Sequence, residues 1–180
     1  MAVIGIPNFA GSLVVTITVP DAHVAGEFYG RAFSAEEMAR YVVPRAPAGT
    51  TPVKQVHLRI GGATVLVSTA NPRNAETMER FGAKPPRMLN GFSSVLTLYV
   101  EDVDAALRRA VAAGAREAAA PQDSLWGDRI AAIEDPFGHV WGLAAVIEEI
   151  SVAEHNRRWE AASKRGAAPH LELPVSGSRS

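Results

Sequence analysis

Residues 126–145 read WGDRIAAIEDPFGHVWGLAA, a pattern of strand, tight turn and strand. Asp135-Pro136-Phe137-Gly138 supplies the turn, because Pro136 presets its own φ and Gly138 takes a positive φ cheaply. Apolar runs flank it, Ile130–Ile133 before and Val140–Val146 after. Such hairpins are common objects. This one becomes informative through what surrounds it.

Immediately upstream, Ser94–Val100 (SVLTLYV) has the β-branched and aromatic content of a strand. Asp102 follows as a helix cap, with Val103, Ala106, Leu107, Ala110 and Val111 on one face and Gly114 at the C-terminal end. Pro121–Leu125 reads as a loop leading into the hairpin. Downstream, Ser151 and Glu154 form a capping-box pattern that predicts a helix over about 152–165. The Pro-, Ser- and Gly-containing tail reads as flexible.

The first half repeats this order. Leu13–Val19 (LVVTITV) is a strand and Pro20 stops it. Asp21 caps a helix whose apolar positions are Ala22, Ala25, Phe28, Tyr29, Ala32 and Phe33. Residues 41–52 read as a loop or irregular edge strand. Val53–Ile60 and Ala63–Thr69 are strands joined by a Gly61-Gly62 turn. Val14 aligns with Val95, Thr16 with Thr97, Val19 with Val100 and Asp21 with Asp102. Strand, cap and helix stay in register together, which predicts two copies of one supersecondary unit. Between them, Asn74–Phe81 reads as a short helix and Pro85-Pro86 as a break in regular structure.

The expected fold is therefore α+β: two paired βαβββ modules forming a curved mixed sheet around a cleft, plus a C-terminal helix. The chain of 180 residues reads as one domain. Its parts are a first module at 12–70, a linker at 71–92, a second module at 93–147, a C-terminal helix at 148–166 and a flexible tail at 167–180.

Composition narrows the function classes. The net charge of −1 gives no global field for nucleic acid or acidic lipid. The absence of cysteine excludes disulfides, thiolate nucleophiles and cysteine-ligated metals. No run approaches the roughly 20 apolar residues that span a bilayer. The N-terminus, MAVIGIPNFAGS, lacks a signal-peptide pattern. A cytoplasmic protein is expected. No GxSxG elbow, P-loop or GxGxxG after a strand is present.

Three stretches carry a resemblance: PPRMLNG, SVLTLYVEDVDAALRRAVAAGA and WGDRIAAIEDPFGHVWGLAA, with TVPDAHVAGEFYGRAFSAEE and HLRIGG in the first half. In these the chain resembles the vicinal oxygen chelate superfamily (glyoxalase, bleomycin resistance and dioxygenase proteins), and its second half is similar to the PhnB-like branch. The resemblance implies the paired modules and a homodimer. It also implies a divalent metal held by His or Glu from the first and last strands of each module. At those positions this sequence has Val14, Val95 and Gly142, with the remaining one at Leu66 or Val67. None ligates through its side chain, so no metal and no cofactor is expected.

Strand alternation predicts what lines the cleft instead. With Val14 and Val95 facing in, so do Thr16, Thr18, Thr97 and Tyr99, while the opposite set is wholly apolar. Gln55, His57 and Arg59 join the inward face. Trp126 and Arg129 are further ligand-binding candidates, as a ring cap and an anion holder. His57 and Tyr99 are the catalytic candidates, His57 because its reference pKa lies near neutrality. The expected function is binding of a small molecule, such as an antibiotic or metabolite to be sequestered, without the usual metal. The alternatives are a metal-independent lyase or isomerase using the same cleft, and a noncanonical metal-dependent lyase or dioxygenase built around His57. No nucleic-acid or membrane partner is expected.

Overall fold

The computed structural model describes residues 13–44, 52–70, 84–89 and 91–165. The expected helix at Asn74–Phe81 and the tail at 167–180 lie outside these. Two compact units divide the chain, Met1–Phe92 and Ser93–Ser180.

In the first unit the order is β1 (Val15–Val19), α1 (Ala22–Phe33), β2 (Glu36–Val42), β3 (Val53–Ile60) and β4 (Ala63–Thr69). The strands form a four-stranded mixed sheet in the order β1-β4-β3-β2, with β1 and β4 parallel. Helix α1 begins where the sequence predicts. Asp21 accepts from the backbone N–H groups of His23 and Val24, satisfying two of the otherwise orphaned donors. Thr69 anchors that helix end to the sheet: its Oγ1 accepts from the Ala22 N–H and donates to the Val53 carbonyl. The buried side of α1 presents Ala25, Phe28, Tyr29, Ala32 and Phe33 to the sheet, against Ile17, Val56, Leu58, Ile60 and Val67. Burying each of the larger side chains is worth about 2 kcal/mol.

The second unit repeats the plan with β5 (Val95–Tyr99), a helix at Val103–Ala112, β6 (Arg116–Asp123), β7 (Asp128–Glu134) and β8 (Val140–Val146). Its sheet order, β5-β8-β7-β6, mirrors the first, and β5 and β8 are again parallel. Numbered in chain order, a single helical turn at Pro86–Leu89 is α2, the helix at Val103–Ala112 is α3, and a C-terminal helix at Val152–Lys164 is α4. The β7–β8 turn is built as the sequence predicts. One carboxylate oxygen of buried Asp135 accepts from the Phe137 and His139 N–H groups, the other accepts from the Trp141 indole, and Gly138 has φ 96°.

Three local expectations change. Pro85-Pro86 does not preclude a helix, because Pro86 stands at the first helical position, where a missing N–H costs nothing. Residues 121–123, read as loop, belong to edge strand β6, which tolerates Pro121 because the ladder slips between Ala119 and Gln122. Strand β2 starts at Glu36, well before the predicted irregular edge. Among the described residues no helix is long and apolar enough to cross a membrane.

Candidate functional site

Residues opposite one another on a ladder share a sheet face. In the first unit the face away from α1 therefore carries two rows. One is Thr16, Leu66, His57 and Ala39; the other is Thr18, Ser68, Gln55 and Tyr41. The structure thus brings Thr16, Thr18, Gln55, His57 and Arg59 onto one face. Leu66 shares that face, whereas Val67 is fully buried on the helix side.

This face is ordered by a short hydrogen-bonded chain. The Gln55 amide donates to Ser68 Oγ at 2.7 Å, and its carbonyl oxygen lies 2.9 Å from His57 Nε2. Pairing to that carbonyl oxygen makes Nε2 the protonated nitrogen of a neutral imidazole. The Tyr41 ring lies over the imidazole, centroids 4.8 Å apart at 45°. His57 is 5% exposed, and burial lowers its pKa from the ordinary value. Tyr41 was not among the sequence candidates. The sequence around it reads as a loop or irregular edge strand, which gives Tyr41 no alternation to place it. Arg59 is exposed at the rim, 3.9 Å from Glu36 and in contact with the Met38 sulfur.

In the second unit the corresponding rows are Thr97, Gly142, Ala132 and Ala119, then Tyr99, Ala144, Ile130 and Gln122. Thr97 and Tyr99 share the open face, as alternation predicts. A Cβ added at Gly142 would sit 3.1 Å from Thr97 Oγ1, so the threonine side chain occupies the space a larger residue would need. The Tyr99 hydroxyl donates to Asp128 at 2.9 Å, and that bond raises its pKa.

Two candidates are placed elsewhere. Arg129 lies on the helix side of β7, bonded to both carboxylate oxygens of Asp104 on α3 and to Asp123. Those two acids raise its pKa further, and they occupy the guanidinium expected to hold an anionic ligand. Trp126 stacks toward His155 of α4 at 6.4 Å, and His155 in turn stacks on Trp159 at 6.2 Å. Its ring therefore contacts the C-terminal helix. Arg158 reinforces that contact by pairing with Glu148 and Glu154 and donating to the Leu125 carbonyl.

A pair of βαβββ units, each with a helix packed on one face of its sheet, defines a class of α+β proteins. The chain belongs to the Glyoxalase/Bleomycin resistance protein/Dioxygenase superfamily, whose family model matches residues 11–143. An uncharacterized protein of Mycobacterium tuberculosis (strain ATCC 25618 / H37Rv) is 38% identical over 151 residues, covering 82% of this chain and 81% of the relative. A Mycobacterium bovis relative, also uncharacterized, shares 38% identity, with 91% of its own length covered. Among solved structures, TioX from Micromonospora sp. ML1 is 25% identical, with a TM-score of 0.52 over 78% of this chain and 100% of that one. The fosfomycin resistance protein FosX from Listeria monocytogenes shares the fold at 16% identity, with a TM-score of 0.54 over 81% of this chain and 98% of FosX.

The divalent metal implied by the family does not fit the residues present. Val14, Leu66, Val95 and Gly142 offer no side-chain donor, and Thr97 fills the space above Gly142. Among the described residues no three His, Asp or Glu side chains converge as a metal-ligand set.

Proposed function

We propose that this chain is a metal-independent small-molecule-binding member of the superfamily, sequestering a polar aromatic metabolite or antibiotic on the open face of its first sheet. One observation carries the reading. Where relatives of this fold are expected to place metal ligands, this face instead presents the hydrogen-bonded Ser68–Gln55–His57 chain beside the Tyr41 ring. A preorganised polar row next to an aromatic ring is the composition of a small-ligand site. Tyr41 is 48% exposed and free to stack on a ligand ring. The similarity of the second half to PhnB-like sequences supports that branch and a homodimer, which light scattering on the full chain would test.

The test is a thermal-shift screen of the full chain against aromatic antibiotics and polar metabolites. A hit should raise the melting temperature, and Gln55→Leu should abolish that rise. No response from folded protein, or a response unchanged in Gln55→Leu, would overturn the reading.

A second reading, a metal-independent lyase or isomerase, draws on His57. Burial lowers its pKa and so favours the neutral imidazole, the form that accepts a proton. Mass spectrometry of a hit after incubation distinguishes the two. Binding alone returns the ligand unchanged, whereas catalysis yields a product that His57→Ala no longer forms. Tyr99 is a poorer base, because its hydroxyl donates to Asp128.

A further inference from the structure

The half-buried acids of the second unit follow one rule with one exception. Asp104 pairs with Arg129, Glu134 with Arg116, and Glu154 with Arg158. Asp128 is half-buried too, yet among the described residues its carboxylate meets no Lys, Arg or His. Its side-chain partner is the neutral Tyr99 hydroxyl, at 2.9 Å on Oδ2. Arg129, the next residue, is turned to the other face of β7 and held there by Asp104 and Asp123. The Asp128 backbone is fixed as well: its N–H donates to Ser124 Oγ, and its carbonyl accepts from the Ser124 N–H. A partly desolvated carboxylate with one neutral donor is undercompensated, and a cation at its remaining oxygen would be favoured.

The geometry points to Asp128 as the anchor for the ammonium group of a small organic amine, with the Tyr99 ring as the wall of that subsite on the open face of the second sheet. Tyr99 is 59% exposed, so its ring face is available to a cation. Ile130 lies in the same row, and Val146, which is exposed, stands opposite Asp128, so the amine's hydrocarbon part meets apolar side chains. Among the described residues no group of three His, Asp or Glu side chains that includes Asp128 converges as a metal-ligand set. The subsite does not depend on the reading given to the first sheet.

Benzylamine and its neutral counterpart benzyl alcohol are suitable probes, titrated into the full chain while backbone amide shifts are followed by NMR. Benzylamine should move the Tyr99, Asp128 and Ala144 amides saturably, and benzyl alcohol should not. Asp128→Asn, which keeps an acceptor for the Tyr99 hydroxyl, should weaken benzylamine binding by about tenfold or more. Raising the ionic strength on the native chain should weaken it several-fold, a readout that needs no variant. Equal shifts with benzyl alcohol, unchanged affinity in Asp128→Asn, insensitivity to salt, or no saturable response to benzylamine would each overturn the assignment.

Discussion

On the first sheet Thr18, Ser68, Gln55 and Tyr41 lie side by side; at the corresponding places on the second stand Tyr99, Ala144, Ile130 and Gln122. One row further along, His57 in the first unit has its counterpart in Ala132 of the second, and Leu66 in Gly142. Both sheets have the same strand order, and each packs a helix capped by an aspartate. The duplicated scaffold has therefore kept its helix-facing side and diverged on its open side. On that side the first unit carries the Ser68–Gln55–His57 chain, whereas the second carries Gly142, Ala132 and Ala144 with one side-chain hydrogen bond, from Tyr99 to Asp128.

The largest expected effect is in the second unit. Gly127 has φ 88°, and a Cβ there would meet the Glu148 carbonyl oxygen at 2.1 Å. Gly127→Ala should cost about 3 kcal/mol or more in denaturant unfolding, because backbone cannot yield as a flexible side chain does. A loss below about 1 kcal/mol would contradict that close approach.

Next comes the hydrogen-bonded side. Gln55→Leu removes the partner of both Ser68 and His57, and should destabilise the chain by about 2 kcal/mol. Ile130 occupies the matching place in the second unit, so Ile130→Leu should cost under about 1.5 kcal/mol. Equal losses at the two positions would break the comparison.

A pH dependence of stability is expected from His57 in the first unit. The folded-state pKa of His57 lies below its ordinary value of 6.5, so the unfolded chain binds the proton more readily. Stability contributed by neutral His57 is full above pH 6.5 and falls as the pH drops through that value toward the folded pKa. Melting temperatures measured across this range should decline on acidification, and His57→Gln should flatten the decline. A decline unchanged in that variant would place the titrating group elsewhere.

The smallest effect is at Gly142. Its backbone is ordinary strand, so an added methyl must only press Thr97 aside. Gly142→Ala should change stability by about 1 kcal/mol or less, read as a small shift in melting temperature.

Much of this was legible in the sequence, for identifiable reasons. Asp21 and Asp102 each precede an apolar stripe of helical period, and both are caps. Alternation in LVVTITV and SVLTLYV assigned the two faces correctly, since Ile17 and Val19 are buried and Thr97 and Tyr99 exposed. Edge strands β2 and β6 were harder. They lack an alternating apolar signal because neither face of an edge is deeply buried, and Pro121 mimics a loop. Arg129 could have been placed by carrying the register back through the Asp135–Gly138 turn from Gly142, which puts it opposite Ala145 on the helix side. The Trp126–His155 contact and the Tyr99–Asp128 bond join residues distant in the sequence, and no local pattern announces either.

The proposed binding on the first sheet rests on the Ser68–Gln55–His57 chain and not on a metal. It is tested most directly by calorimetric titration of a thermal-shift hit into chelator-treated protein, and again after adding back zinc, manganese or iron(II). The account predicts the same affinity within about twofold in every case, and its loss in Gln55→Leu. Binding that appears only with a divalent metal, and survives in Gln55→Leu, would contradict it.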